Sequence, residues 1–307
     1  MTKRPWLLPA AFILLGLIWG SSFLWIKIGV QEMDPATLVA YRISIGALAM
    51  LAYLRLTGER LPRSARELAP LAVLGMIATA LPFFLITWGE QYIDSGTAAV
   101  LNSLTPIFSL VLAGLILRTE SVTPVRVLGL VTGFAGAALL ASREFAVRGD
   151  PLALAGTAAV AVAAISYAGG ASFSRARVHG TPRNVVAAGN LAFGAIYIWA
   201  FTLLSGADPA PPAQLDSIIA LLWLGLLGSF FAFVLFYFLI AHLEATVASM
   251  VTYLFPVVGV TLGVVFLDEL LDARLAIGTG LVVVGIVVVS LRYDQLVRWV
   301  TGRRRRS

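Results

Sequence analysis

The chain contains no cysteine and only two histidines among its 307 residues, and charged residues make up only 12% of it. Without thiols there is no disulfide, no thiolate metal site and no cysteine nucleophile. His179 and His242 lie far apart, near the ends of apolar segments, so they do not build a histidine metal cluster, and no metal or other cofactor is expected. Also missing are a phosphate-binding loop, a His-Glu-x-x-His pair and a Gly-x-Ser-x-Gly elbow. ATP-driven work by this chain alone and hydrolase chemistry are therefore not expected, and the chain is read as a non-enzyme. A soluble domain carries about twice this share of charge, about 25%.

What fills the space is apolar: 59% of the residues are hydrophobic, in runs too long for the core helices of a soluble protein. The runs are continuous and lack the alternation of a barrel strand, so the expected fold is an all-α integral membrane protein. Ten transmembrane helices are expected at 6–29, 36–56, 68–88, 96–117, 125–142, 152–173, 184–205, 217–240, 246–267 and 275–292. The first is read as a span and not as a cleaved leader, because its apolar stretch runs on through Trp19, Phe23 and Trp25. Asp34-Pro35, Thr123-Pro124, Asp150-Pro151 and Thr181-Pro182 each precede a span, and the Pro/Ala-rich loop from Gly206 to Asp216 is expected to be exposed.

The second half repeats the first. With Pro106 placed over Pro256, a slide of 150, Gly20, Ser22, Phe23 and Lys27 fall on Gly170, Ser172, Phe173 and Arg177. One residue of slippage brings Glu120 to Glu269, Gly129 to Gly278 and Gly136 to Gly285. Five crossings per half make the second half enter the membrane from the opposite side, giving two inverted five-helix repeats over 1–148 and 149–307. Secondary transporters are built this way.

The net charge of +6 is spread over short loops and the tail, which reads as topology signal and not as a nucleic-acid site. Seventeen Lys and Arg fall on one side of the spans, and only Arg143, Arg148 and Arg274 on the other. Both termini are thus expected in the cytoplasm of a bacterial-type inner membrane, with the Arg303–Arg306 run anchoring the tail to anionic lipid. The expected partners are a small-molecule solute and the lipid bilayer, and no nucleic acid.

Three segments carry a family likeness. Trp19-Gly-Ser-Ser-Phe23 is followed by Lys27. Trp88-Gly-Glu-Gln-Tyr-Ile-Asp-Ser-Gly96 leads through Ala98 and Asn102 to Thr105-Pro106. Ala245-Thr-Val-Ala-Ser249 leads through Tyr253-Leu-Phe-Pro256 to Leu267-Asp-Glu269. The chain resembles the EamA-type permeases of the drug/metabolite transporter superfamily over nearly its whole length. The resemblance implies ten spans in two repeats, helices one, three, four, six, eight and nine around a central cavity, and helices five and ten meeting near the pseudo-dyad. It also implies a monomer-sized transport unit, with a dimer as the alternative, and a solute class that includes amino acids and other metabolites. Gly169-Gly170 departs from the Trp-Gly pair of the first half, which smooths one cavity wall.

The candidate site residues are polar or aromatic groups within or at the ends of spans. Glu90 is the proton-coupling candidate; the alternative is an interfacial glutamate or one locked to a cation. Arg42, about 9 Å into the second span, either pairs with Glu90 or receives a substrate carboxylate. Lys27 is expected to snorkel to the headgroups. Asn190 is the repeat counterpart of Arg42. Pro106 and Pro256 kink their helices and free carbonyls near Asn102 and Thr252, either as packing kinks or as substrate ligands. Trp19, Trp88, Gln91, Tyr167, Tyr237 and Tyr253 complete the set, the aromatic members being either packing or the wall of a cavity for an amphipathic solute. Gly129, Gly133 and Gly136, with Gly278 and Gly285, are expected to pack helices closely, and Glu120 and Glu269 to act as gates or caps at span ends. The resulting expectation is a secondary carrier that exports amino acids or related metabolites. An uptake or facilitative permease is the runner-up, and a membrane scaffold or flippase-like lipid handler comes third.

Overall fold

The computed structural model describes residues 6–112, 123–178, 180–242 and 250–290. Glu120, His179, the Arg303–Arg306 run and parts of the fourth and ninth spans lie outside the described residues. Among the described residues the chain is helical and without strands. Eight helices are long and apolar enough to cross a membrane: α1 (Leu7–Gly29), α2 (Pro35–Leu56), α3 (Ala65–Gly89), α6 (Pro124–Arg148), α7 (Pro151–Arg177), α8 (Arg183–Ser205), α9 (Leu215–Leu239) and α11 (Ala273–Ser290). The remaining two expected segments are described only in part. One is α4 (Ser95–Asn102) followed by α5 (Thr105–Leu110), and the other is the shorter apolar helix α10 (Met250–Phe266).

The helix starts follow from local chemistry. Asp34 and Asp150 accept hydrogen bonds from Ala36 N–H and Leu152 N–H, both at 2.8 Å, and Pro35 and Pro151 occupy the first helical position, where no N–H is needed. Large side chains such as Ile13, Leu48, Leu128, Val131, Ile196 and Leu203 point outward, while small residues fill the contacts between helices. Large apolar side chains such as Leu38, Ile43 and Met50 also fill the interior, so the bundle is apolar on both sides, as suits lipid as the surrounding solvent.

The clearest close approach is between α6 and α11. A Cβ on Gly136 would lie 2.7 Å from the carbonyl oxygen of Gly278, and one on Gly285 would lie 2.6 Å from the Gly133 nitrogen. The glycine faces expected in the two halves therefore pack on each other. The internal repeat is also legible in detail. A Cβ on Gly46 in α2 would meet Ser229 Cβ at 2.7 Å and the Gly225 carbonyl at 3.3 Å in α9. Its counterpart Gly194 in α8 would meet Thr79 Cγ2 at 2.9 Å and the Gly75 carbonyl at 3.3 Å in α3.

Both α3 and α9 widen into π-helical turns at repeat-related places, Met76–Ala80 and Trp223–Phe231. In α3 the cause is visible: Pro82 has no N–H to close the turn below it. Side chains serve the backbone oxygens these turns expose. Ser166 donates to the Ile77 carbonyl at 2.6 Å, and the Trp19 indole donates to the Gly228 carbonyl at 3.1 Å. One serves each repeat.

Candidate functional site

Two charged regions are built into the bundle. The first lies at the end where α1, α3, α6 and α10 finish, here called the Lys27 end. Arg143 of α6 is fully buried and saturated with acceptors: Asp94 at 2.8 Å, Glu144 at 2.6 Å, Asp272 at 2.9 Å and the Leu270 carbonyl at 2.7 Å. Arg148 adds a contact to Asp94 at 2.6 Å, and Thr97 donates to Glu144 at 2.5 Å. Glu269 reaches across the repeats to accept the first amides of α4, Ser95 N–H at 2.6 Å and Gly96 N–H at 2.9 Å. It is therefore a cap, satisfying donors that a helix start leaves orphaned. Burial pushes its carboxyl above the usual range against the pull of those two N–H groups. At the same end Glu32 accepts Ala213 N–H at 2.6 Å and Gln214 N–H at 3.1 Å, and the Ala213 bond, helped by Ser217, holds its carboxyl below the usual range. The exposed loop before α9 is thereby tied to the α1–α2 turn, with Thr37 bonding the Asp208 carbonyl at 2.7 Å.

The second region is the interior around Arg42. Its side chain is buried, 5% exposed, and does not pair with Glu90 as the depth argument allowed. Its Nε donates to Ser229 Oγ at 3.2 Å, and its guanidinium carbon lies 4.2 Å from the centre of the Phe83 ring. No described residue offers an acceptor to its two terminal nitrogens. Both carboxylate oxygens of Glu90 are likewise buried without a hydrogen-bond partner, as are Thr87 Oγ1 and Asn102 Oδ1. Arg42 turns toward α9, where one terminal nitrogen passes beside Gly228 and Nε meets Ser229 at the π-helical turn.

Lys27 also departs from expectation. It does not snorkel to the headgroups. Its ammonium donates to the main-chain oxygen of Glu90 and, at 2.7 Å, to that of Ile93. A cation on the terminal carbonyls of α3 and the turn that follows is a favourable use of the helix end.

The remaining candidates divide. Tyr167 lies within electrostatic reach of Arg42 and edge-on to Phe83 at 6.4 Å. Trp19 packs among Phe233, Phe236 and Phe255 at 5.3–6.3 Å, and Tyr237 stacks on Phe233 at 6.2 Å. Of these aromatics, Phe83 and Tyr167 lie beside Arg42, while Trp19 and Tyr237 meet on Phe233. Asn190 accepts from Thr79 Oγ1 at 2.8 Å. Four candidates stand elsewhere or are already engaged. Trp88 packs on Tyr92 at 5.0 Å, and Gln91 is exposed. The Tyr253 hydroxyl is bonded to Ser290. The Asn102 carbonyl that Pro106 was expected to free accepts the Thr105 hydroxyl at 2.8 Å, which supports the packing reading of that kink. The helix breaks at Ser103–Leu104, just before Pro106, and around Pro256 a 3-10 turn, Met250–Tyr253, gives way to an α-helix two residues ahead of the proline. Ser229, Phe83 and Arg143 carry the geometry and were not singled out from the sequence. The one signal for Ser229 was its register with Thr79 across the repeat.

Several curated proteins match this chain over nearly its whole length. Among curated proteins, the chain is 29% identical over 289 residues to the uncharacterized inner membrane transporter YedA of Escherichia coli, covering 93% of this chain and 92% of that one. It is 27% identical over 286 residues to an uncharacterized transporter of Archaeoglobus fulgidus, covering 93% and 98%. It is 28% identical over 313 residues to a probable terminal-alkyne amino-acid exporter of Streptantibioticus cattleyicolor, covering 100% and 97%. A solved crystal structure superposes with a TM-score of 0.66 at 21% identity, covering 94% of this chain and 97% of the other, a likeness of fold. The family model of the EamA-like transporters matches twice, at residues 7–142 and 154–291. With both matches falling on the two structural repeats, the chain belongs to the EamA-like transporter family.

Proposed function

We propose that this transporter exports an amphipathic amino acid or a closely related carboxylate, with Arg42 receiving the carboxylate. The observation that carries the reading is a buried cation with no carboxylate in contact: Glu90 lies within electrostatic reach of Arg42, but neither of its oxygens bonds the guanidinium. A guanidinium in the interior is costly unless neutralised. Arg143 shows how this protein neutralises one, with three carboxylates. Arg42 has a hydroxyl and an aromatic ring, so its terminal N–H groups are left for a ligand. The aromatic set of Trp19, Phe83, Tyr167, Phe233 and Tyr237 supplies an apolar wall for the rest of the solute. The name of the Streptantibioticus cattleyicolor relative points to the same solute class.

In this reading the repeats 1–148 and 149–307 rock about Arg42, the protein works as a monomer, and both termini face the cytoplasm. The Lys27 end then faces outward, closed by the Arg143 network. Glu90 couples transport to protons. A carboxyl group this buried and unpartnered is far cheaper neutral than charged, so it gains and loses its proton only as access changes.

Proteoliposomes loaded with an equimolar mixture of the twenty amino acids test the reading, with efflux followed by mass spectrometry. Efflux of apolar and aromatic amino acids, lost in Arg42→Gln, is expected. Efflux unaffected by Arg42→Gln, or no efflux of any amino acid, overturns it.

A further inference from the structure

We infer that Ser229 is a positioning residue that aims Arg42 so that substrate carboxylate docks end-on, across the two terminal guanidinium nitrogens; this rests on the carboxylate reading above. A guanidinium has two edges that fit a carboxylate: the side edge, made by Nε and one terminal nitrogen, and the end edge, made by both terminal nitrogens. In this bundle the side edge is taken, because Nε donates to Ser229 Oγ.

The hydroxyl is itself fixed. Ser229 donates its only proton to the Leu224 carbonyl five residues back, at 2.9 Å, so it meets Arg42 with lone pairs alone. A carbonyl five residues back comes within reach because this stretch is π-helical. The Phe83 ring, 4.2 Å below, fixes the plane of the guanidinium. One bond and one face thus set the last two degrees of freedom of a long side chain, leaving the end edge free.

The repeat supplies an independent argument that the hydroxyl position is built for this use. Thr79 occupies the counterpart of Ser229 on the other π-helical turn, and its partner Asn190 is the counterpart of Arg42. The fold joins the same two positions twice with opposite polarity: the Thr79 hydroxyl donates to Asn190, whereas the Ser229 hydroxyl accepts from Arg42, and only that pair carries a cation. The repeat also shows which substitution Ser229 tolerates. The Thr79 methyl packs over Gly194, and Gly46 lies over Ser229 in the same way. A threonine at 229 therefore has a place for its methyl group and keeps the oxygen.

The test is transport of L-phenylalanine in competition with L-phenylalaninamide, in which the carboxylate is replaced by an uncharged amide. The readout is the ratio of KM values in wild-type protein, Arg42→Gln, Ser229→Ala and Ser229→Thr, each checked for folding by its melting temperature. Wild type should prefer phenylalanine, and Arg42→Gln should lose the preference. Ser229→Ala should shrink it about tenfold, the scale of one lost charged hydrogen bond. Ser229→Thr should restore it. If Ser229→Ala lowers transport of both probes alike, or keeps the wild-type ratio, the positioning role is overturned while the Arg42 reading stands. If wild type shows no preference, or Arg42→Gln retains it, the carboxylate reading fails and the inference fails with it.

Discussion

Among the described residues two arginines are buried in this bundle, and they are treated in opposite ways. Arg143 holds three carboxylates and a carbonyl at 2.6–2.9 Å, drawn from α6, the start of α4 and the turn before α11. Arg42 holds one serine hydroxyl and one aromatic face. Desolvating a guanidinium costs several kcal/mol in either place, so the difference lies in what offsets that cost. At Arg143 the protein offsets it entirely from within, and the result is a joint between repeats. At Arg42 the described residues offset it only in part, as the proposed binding role requires. On the proposed reading, complete pairing marks the arginine that holds the structure together and incomplete pairing the one that binds.

The sharpest way to break the comparison is to neutralise the paired arginine. Arg143→Gln leaves Asp94, Glu144 and Asp272 facing one another in a buried place, and about 3–5 kcal/mol of stability should be lost. Thermal unfolding of purified protein in detergent reads this directly; a melting temperature within two or three degrees of wild type would mean that the network is not a structural joint.

Glu90→Gln should give nearly the opposite result. An amide replaces a carboxyl that carries no hydrogen bond, so the fold should change by less than about 1 kcal/mol. What should vanish is the response of transport to an imposed pH gradient, because an amide cannot exchange a proton. Vesicles of this variant that still concentrate solute when only a pH difference is applied would exclude Glu90 as the coupling site.

The smallest effect is expected at the cross-repeat cap. Glu269→Gln keeps one acceptor for the Ser95 and Gly96 amides but loses the charge at the start of α4, which should cost about 1 kcal/mol. Hydrogen exchange at Ser95 and Gly96 should speed up while exchange in α2 and α8 stays unchanged. Equal acceleration everywhere would contradict a local cap.

The span pattern was largely legible from sequence, because apolar length, Pro at helix starts and glycine spacing act locally and leave their marks in adjacent residues. Asp34-Pro35 and Asp150-Pro151 show this: cap and first helical residue are neighbours in the chain. The repeat was legible for the same reason, down to Arg42 standing opposite Asn190. The pairing of charges was not. Charge and depth placed Arg42 near Glu90, yet the guanidinium turned to Ser229, 187 residues away, because a π-helical turn set a hydroxyl there. Lys27 was read as snorkelling because sequence shows no carbonyl acceptors; the oxygens of Glu90 and Ile93 become available only where α3 ends. Arg143 and Arg148 break the charge bias between the two sides, and the reason is three-dimensional: Asp94, Glu144 and Asp272 neutralise them.

The central claim is that Arg42 is kept unpaired in order to bind. It is tested most directly by measuring, on the same purified samples of wild type and Arg42→Gln, the equilibrium affinity for the amino acid moved fastest in proteoliposomes and the melting temperature without ligand. The account predicts that affinity falls by about 10- to 100-fold, the scale of one or two hydrogen bonds to a charged group. It also predicts that the melting temperature holds or rises, since a costly unpaired charge has been removed. Unchanged affinity would contradict the claim, and so would a drop in melting temperature as large as that of Arg143→Gln, which would make Arg42 a second structural joint.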